Sequence, residues 1–115
     1  MIEITLLNYL QTELSMNEIY MEVPATMPAS FIVIDRTSHT KTDTGFQTAT
    51  IAFQSYADSN YAAATLNESV VDALIAAREN LTNVFESRLN AEYPFFDMSN
   101  KRYRYQAVFD FTYFE

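Results

Sequence analysis

The sequence predicts a single α+β domain in which two helices pack on one face of a mainly antiparallel sheet. Two segments show the 3.6-residue apolar spacing of amphipathic helices, whereas the segments around them alternate or are continuously apolar, as strands are. The predicted order is helix, three strands, helix, two strands, which is typical of a helix-covered sheet. A length of 115 residues corresponds to one domain, residues 1–115.

The first helix is predicted over residues 2–14. Apolar side chains recur there at helical spacing: Ile2, Leu6, Leu7, Leu10 and Leu14. A strand is predicted next, because apolar residues alternate with Tyr20 and Glu22 up to Pro24. Since Pro24 and Pro28 lack the N–H that a central strand needs, we expect an extended linker between the first and second strands.

The second and third strands are predicted to form a long hairpin. Residues 31–34 form a continuous apolar run before Asp35, which is typical of a strand buried on both faces. Residues 38–44 are polar and end at Gly45, which predicts a loop. Little apolar burial would offset the entropy cost of ordering this loop, so we expect it to be mobile. The returning strand, residues 47–56, alternates apolar and polar side chains.

The second helix, residues 59–78, has the clearest pattern. Asp58 or Ser59 is suited to cap it, because a side-chain oxygen there can accept a hydrogen bond from the first turn. Asn67 is predicted to lie off the apolar stripe. We expect the stripe to pack on Ile51, Phe53, Phe109 and Phe111 of the sheet. It consists of Ala63, Leu66, Val70, Ala73, Leu74 and Ala77.

The last two strands are predicted over residues 84–93 and 103–114, with a turn or short edge piece at 94–97. In the final strand one face is rich in aromatic side chains, a pattern strongly favoured in sheets. That face carries Tyr105, Ala107, Phe109, Phe111 and Tyr113.

Composition argues against several classes of function. The net charge of −8 opposes binding to a phosphate backbone, which needs a basic surface. The absence of cysteine excludes disulfides, thiol nucleophiles and cysteine metal ligands. A single glycine excludes glycine-rich phosphate-binding loops. No apolar run approaches the ~20 residues of a membrane helix, and no basic signal-peptide region begins the sequence. We therefore expect a soluble intracellular protein.

No catalytic residue, cofactor site or metal site is predicted, and we do not expect an enzyme. His39 is the single histidine, so a histidine-based metal site is excluded and a Ser-His-Asp triad would depend on a loop. Asp35 and Asp43 flank that loop, but they lack the Asp-x-Asp spacing and glycine of a calcium loop. We interpret His39, Asp35 and Asp43 as solvated surface residues.

Contacts between subunits are a further expectation from the charge pattern, beside the simpler interpretation of a solvated surface. No basic residue precedes Arg36, whereas Lys101, Arg102 and Arg104 cluster late in the chain. Such asymmetry suits head-to-tail association, although the late cluster is also suited to pair with acidic residues inside the chain. Aromatic residues after Pro94 are expected to be partly exposed, as at partner surfaces. The candidate interface residues are Phe95, Phe96, Arg102, Arg104, His39 and Lys41.

Two stretches resemble the tail terminator, or tail-completion, proteins of long-tailed bacteriophages. The sequence IAFQSYADSNYAAATLNESVVDAL, residues 51–74, resembles the family's corner in which a strand leads directly into an alanine-rich helix. The sequence RYRYQAVFDFTY, residues 102–113, resembles the family's last strand. The two prolines between the first and second strands also fit.

The resemblance implies a structural protein that forms a ring, usually a hexamer, on the head-proximal end of the tail tube. The ring would stop tube growth and provide the surface on which the filled head docks. The implied partners are copies of the same chain, the tail tube protein and a head-completion or connector protein. DNA would pass through the bore without specific binding, and no membrane is involved. The implied location is the tail or neck of the virion, after assembly in the host bacterial cytoplasm.

Two other interpretations remain open from the sequence. One is a head-completion or connector subunit of the phage neck. The other is an acidic inhibitor that mimics DNA and blocks a host enzyme, although the acidic residues are scattered rather than arrayed.

Overall fold

The chain folds as a five-stranded mixed sheet with its helices packed on one face, which confirms the predicted α+β class. The computed structural model describes residues 1–42 and 44–114. Its elements in chain order are α1 (Ile2–Glu13), β1 (Ile19–Tyr20), β2 (Ser30–Lys41), β3 (Gln47–Ala57), α2 (Asn60–Ile75), α3 (Ala77–Asn80), β4 (Val84–Pro94) and β5 (Tyr103–Tyr113). The order of strands across the sheet is β1-β2-β3-β5-β4. β1 is parallel to β2, and the other neighbours are antiparallel.

The main core lies between the helices and one face of the sheet. Phe53 of β3 meets Phe109 and Phe111 of β5 edge to face, with each pair of ring centroids 6.1 Å apart. Val70 and Leu74 of α2 are fully buried in the same cluster. The helical stripe therefore packs where the sequence predicts.

The corner between β3 and α2 is closed by a helix cap. Ser59 has extended backbone angles, and its hydroxyl accepts a hydrogen bond from the Ala62 N–H at 3.1 Å. Of the two predicted caps, Ser59 is the one observed. The helix ends at Ile75, earlier than predicted, and a separate short helix, α3, follows.

Asn67 was predicted to lie off the buried stripe, and this prediction is wrong. Its side chain is buried, and its Nδ2 donates to Oε1 of Glu92 at 3.1 Å. A buried polar group is tolerated when it has a hydrogen-bond partner. That partner comes from β4, which no local pattern on the helix reveals.

Two further predictions need correction. The first strand is short, because β1 ends at Tyr20 while Met21 and Val23 are exposed. The predicted loop 38–44 is largely strand, because Ser38–Lys41 continue β2 and pair with residues 47–50 of β3 after an irregularity next to Arg36. Threonine is favoured in strands, and Thr40 lies opposite Thr48. Residues 38–41 are therefore paired strand and not loop, and Asp43 lies outside the described residues.

A second, smaller cluster covers part of the face opposite the helices, here called the open face. Phe31 stacks on Tyr56 with ring centroids 4.4 Å apart, and Val33 lies beside them. Tyr20 and Met27 pack against this cluster, so the segment 21–29 is called the strap. Residues 31–34 are thus buried on both faces, as predicted.

Much of the rest of the open face is polar. Thr50 Oγ1 donates to Asp110 Oδ1 at 2.7 Å, and Gln54 Nε2 donates to Gln106 Oε1 at 2.9 Å. Asn90 Nδ2 donates to the second oxygen of Asp110 at 2.9 Å. These cross-strand bonds link β3, β5 and β4 on the open face.

Candidate subunit interface

A hairpin turn joins β4 to β5 at one end of the sheet and carries several exposed aromatic residues. Asp97 and Arg102 close the turn, with the Asp97 N–H donating to the Arg102 carbonyl at 3.0 Å and the reverse bond at 3.1 Å. Residues 95–103 are here called the aromatic hairpin. Its exposed large hydrophobic side chains are Phe95, Phe96, Met98 and Tyr103.

A buried carboxylate holds the turn in shape. Asp97 is only 7% exposed, and its two oxygens accept hydrogen bonds from the backbone N–H and the side-chain Nδ2 of Asn100, at 3.1 and 2.7 Å. Burial by itself raises the pKa of Asp97. The hydrogen bonds from Asn100 and the nearby Arg104 guanidinium outweigh that effect, so the pKa lies below its ordinary value of 3.8.

The lowered pKa of Asp97 predicts an acid-sensitive contribution to stability. A carboxylate with a depressed folded-state pKa stabilises the fold above its unfolded-state pKa, and the contribution disappears as pH falls through the folded value. Asp97→Asn is therefore expected to be less stable than wild type at about pH 7, with the gap narrowing below about pH 4. Urea denaturation at a series of pH values measures this gap. A gap that stays constant down to about pH 2 would contradict the assigned role of the ionised carboxylate.

Arg104 places its guanidinium over two aromatic rings. Its guanidinium carbon lies 4.0 Å from the Phe95 ring centroid and 5.4 Å from that of Tyr56. Nε donates to the Phe95 carbonyl at 2.6 Å, and a terminal nitrogen donates to the Tyr56 hydroxyl at 2.8 Å. The same nitrogen is 3.8 Å from the Asp97 carboxylate. With its side chain only 14% exposed, Arg104 joins the aromatic hairpin to the body of the sheet.

Replacing Arg104 by lysine is expected to lower the free energy of unfolding by about 1–3 kcal/mol, because an ammonium cannot stack as a plane and donate in a fork at once. Chemical denaturation measures the change. Arg88→Lys is the matched control, since the Arg88 side chain is 69% exposed and its carboxylate partners lie 3.8–3.9 Å away. If the two variants lose the same stability, the stacked geometry has no special value.

Arg102 fastens the strap. Its two terminal nitrogens donate to the backbone carbonyls of Ala29, at 2.9 Å, and Met27, at 3.4 Å. Both late arginines thus make contacts within their own chain, as one of the two sequence interpretations allowed. Lys101 is the exposed cation of the cluster, so the aromatic hairpin offers a partner chiefly apolar surface.

The apolar surface of the aromatic hairpin contains a cleft. Phe96 is 49% exposed and meets Tyr103 edge to face, with ring centroids 5.5 Å apart. The two rings border a cleft of about 260 Å³, whose rim includes Met98, Lys101 and Arg102. Aromatic residues and methionine are enriched in protein interfaces.

The remaining predicted interface residues lie elsewhere. His39 and Lys41 are on the distal part of β2, at the end of the sheet where Gln47 pairs with Tyr113. His39 Nε2 donates to Gln47 Oε1 at 2.6 Å. The aromatic hairpin lies at the opposite end, where β5 begins, so the structure does not bring the two groups together.

A second aromatic patch was not predicted. Phe46, Phe85 and Phe114 meet at the same end as Lys41, with the Phe46 centroid 5.6 Å from Phe85 and 4.3 Å from Phe114. Phe85 is 64% exposed. Phe85 directly follows the buried Val84 in β4, so its exposure could have been predicted from the alternation of a strand. The three phenylalanines are too far apart in sequence for their contact to be foreseen.

The described residues contain no group of three or more histidine, aspartate or glutamate side chains placed to hold a metal ion. Among the described helices, none has the length and apolar character needed to cross a bilayer.

No family model matches this sequence, and no curated protein matches it. The fold, however, has a counterpart among solved structures. It is shared with a chain from the virion of the native gene transfer agent particle. The two structures align with a TM-score of 0.65 over 92% of this chain and 84% of that chain, at 15% sequence identity. At this identity the likeness demonstrates a common fold.

Proposed function

We propose that this chain is a structural protein of a virion, and specifically a subunit of the ring that caps the head-proximal end of a tail tube. The observation that carries the proposal is the fold, which is shared over nearly the whole chain with a component of a virion particle. The resemblance to tail terminator proteins narrows the role from virion component to tail cap. In this role the ring stops tube growth and provides the docking surface for the filled head.

The surface of the molecule is consistent with assembly. An aromatic hairpin with half-exposed rings projects at one end of the sheet, and a second aromatic patch lies at the other end. Two different apolar surfaces on one subunit suit heterologous contacts, which close into rings when the rotation between neighbours allows it. The net charge of −8 suits a bore that DNA must pass without adhering.

Electron microscopy of tail assembly tests the proposal. Tubes polymerised from the cognate tail tube protein are expected to stop growing and to carry a ring at one end when this protein is added. Native mass spectrometry of the concentrated protein is expected to show one closed oligomer, six subunits by the resemblance.

The alternatives give different results in the same experiment. A connector subunit would bind filled heads and leave tube length unchanged. A DNA-mimicking inhibitor would bind neither structure. Protein that stays monomeric at millimolar concentration and never appears on tube ends would refute the capping role.

A further inference from the structure

The sheet has two long edges that none of the described residues covers. β1 pairs with β2 only at Ile32 and Val33, so the outer side of β2 is free over residues 35–41. β4 is the other edge of the sheet. Outside the strand pairing, the Ile32 N–H donates to the Glu18 carbonyl at 3.0 Å and the Val84 N–H to the Leu81 carbonyl at 3.3 Å, whereas among the described residues no such backbone bond involves residues 35–41 or 85–94. Such edges are templates for pairing with another chain.

The two edges run in opposite directions. β2 is antiparallel to β3, β3 to β5, and β5 to β4, so β4 runs antiparallel to β2. When a second copy is placed beside the first in the same orientation, the β4 of one copy meets the β2 of the next as an antiparallel pair. No inversion of the sheet is needed.

The net charges of the two edges also differ. The charged residues of β4 are Arg88, Glu86 and Glu92, which sum to −1. Residues 35–41 include Asp35, Arg36 and Lys41, but Arg36 Nε lies 3.3 Å from the Glu3 carboxylate of α1, so with Glu3 counted the β2 edge is neutral. Like charges facing each other across strands oppose pairing. The charge balance therefore favours β4 against β2 over β4 against β4.

Irregularities in both edge strands lie at one level of the sheet. The shift in β2 begins at Arg36, which pairs with Ile51, and one shift in β4 begins at Leu89, which pairs with Phe109. Ile51 and Phe109 are themselves partners. Bulges increase twist and curvature, and sheets that close on themselves use them.

We infer that neighbouring copies of this chain join edge to edge, with β4 of one subunit paired to residues 35–41 of the next, so that the sheet continues around the assembly. This inference rests on the proposed ring and names the surface that builds it. The aromatic patches at the two ends of the sheet lie outside this strand pairing, so they can add contacts between neighbouring subunits or with the tube and the head side.

Cross-linking through introduced cysteines tests the contact, because the natural chain has no cysteine. Ser38→Cys places a thiol on the β2 edge and Ala91→Cys places one on the β4 edge. Both positions are exposed, and both lie on the open face, opposite Thr50 and Val108. Each variant must first show the same melting temperature as the wild-type protein. Rings on capped tubes are then treated with a short bismaleimide and resolved on a denaturing gel.

A mixture of the two single variants is expected to give covalent dimers, and each variant alone is expected to give none above the cysteine-free background. The double variant is expected to give a ladder up to the full ring. Dimers from Ala91→Cys alone would mean that β4 pairs with β4, and would overturn the inference. Rings that form but do not cross-link would overturn the edge contact and leave the capping role intact. Failure to form rings at all would overturn both.

Discussion

Replacing Phe109 by alanine is expected to lower the free energy of unfolding by about 3–5 kcal/mol. The side chain is fully buried, stacked on Phe111 at 5.9 Å and edge-on to Phe53 at 6.1 Å between ring centroids. Truncation removes its apolar contact and leaves a cavity between sheet and helix. Natural domains have total stabilities of about 5–15 kcal/mol, so the variant would be close to unfolding at physiological temperature. Urea denaturation measures the loss.

Val108→Ala is the matched control for this variant. Val108 is the preceding residue in β5 but lies on the open face, where it is partly exposed. Its truncation is expected to cost less than about 1 kcal/mol. A larger loss for Val108→Ala than for Phe109→Ala would mean that β5 is shifted by one residue in register, since such a slip exchanges the faces.

Replacing Phe96 by serine is expected to weaken subunit or tube association by about 2 kcal/mol or more, roughly thirty-fold in Kd. The ring is half exposed in the isolated chain and borders the cleft of the aromatic hairpin. Rim charge pairs at such surfaces contribute only about 0–1 kcal/mol each, so the aromatic contacts must supply most of the affinity. Analytical ultracentrifugation measures ring formation, and binding to tube ends measures capping.

Ile75→Ser is the control for the Phe96 variant. Ile75 is 51% exposed, at the end of α2 and away from the hairpin. Its replacement removes a comparable apolar group from another surface, and association is expected to be unchanged. If Phe96→Ser assembles and caps as wild type does, or if both variants are impaired alike, the hairpin is not a specific contact.

The elements that could be predicted are those whose patterns are strictly local. The stripe of α2 and the alternation in β5 each reflect a single buried face. The continuous apolar run at residues 31–34 reflects burial on both faces of the sheet. The partial exposure of Phe95 and Phe96 was also predictable, since they follow a proline that ends a strand. Each of these depends on a local sequence pattern alone, which tertiary contacts did not override.

The features that could not be predicted depend on partners distant in sequence. The parallel pairing of β1 needs the strap to return across the sheet, and the strap is held by Arg102 from the other end of the chain. The extension of β2 through a hydroxyl-rich segment depends on Thr48 and Thr50 lying opposite it. Arg104 likewise contacts both Tyr56 and Phe95, which no motif connects.

The position of β5 between β3 and β4 has a consequence for how the protein folds. β3 and β5 are adjacent in the sheet but far apart in sequence, with Ala57 paired to Tyr103 and Gln47 to Tyr113. Loop closure over such separations slows folding. On the ribosome, the β2–β3 hairpin can form early, but one side of β3 stays unpaired until β5 has been synthesised. During that interval the nascent chain displays a bare, apolar strand edge, the kind of surface that aggregates or recruits chaperones.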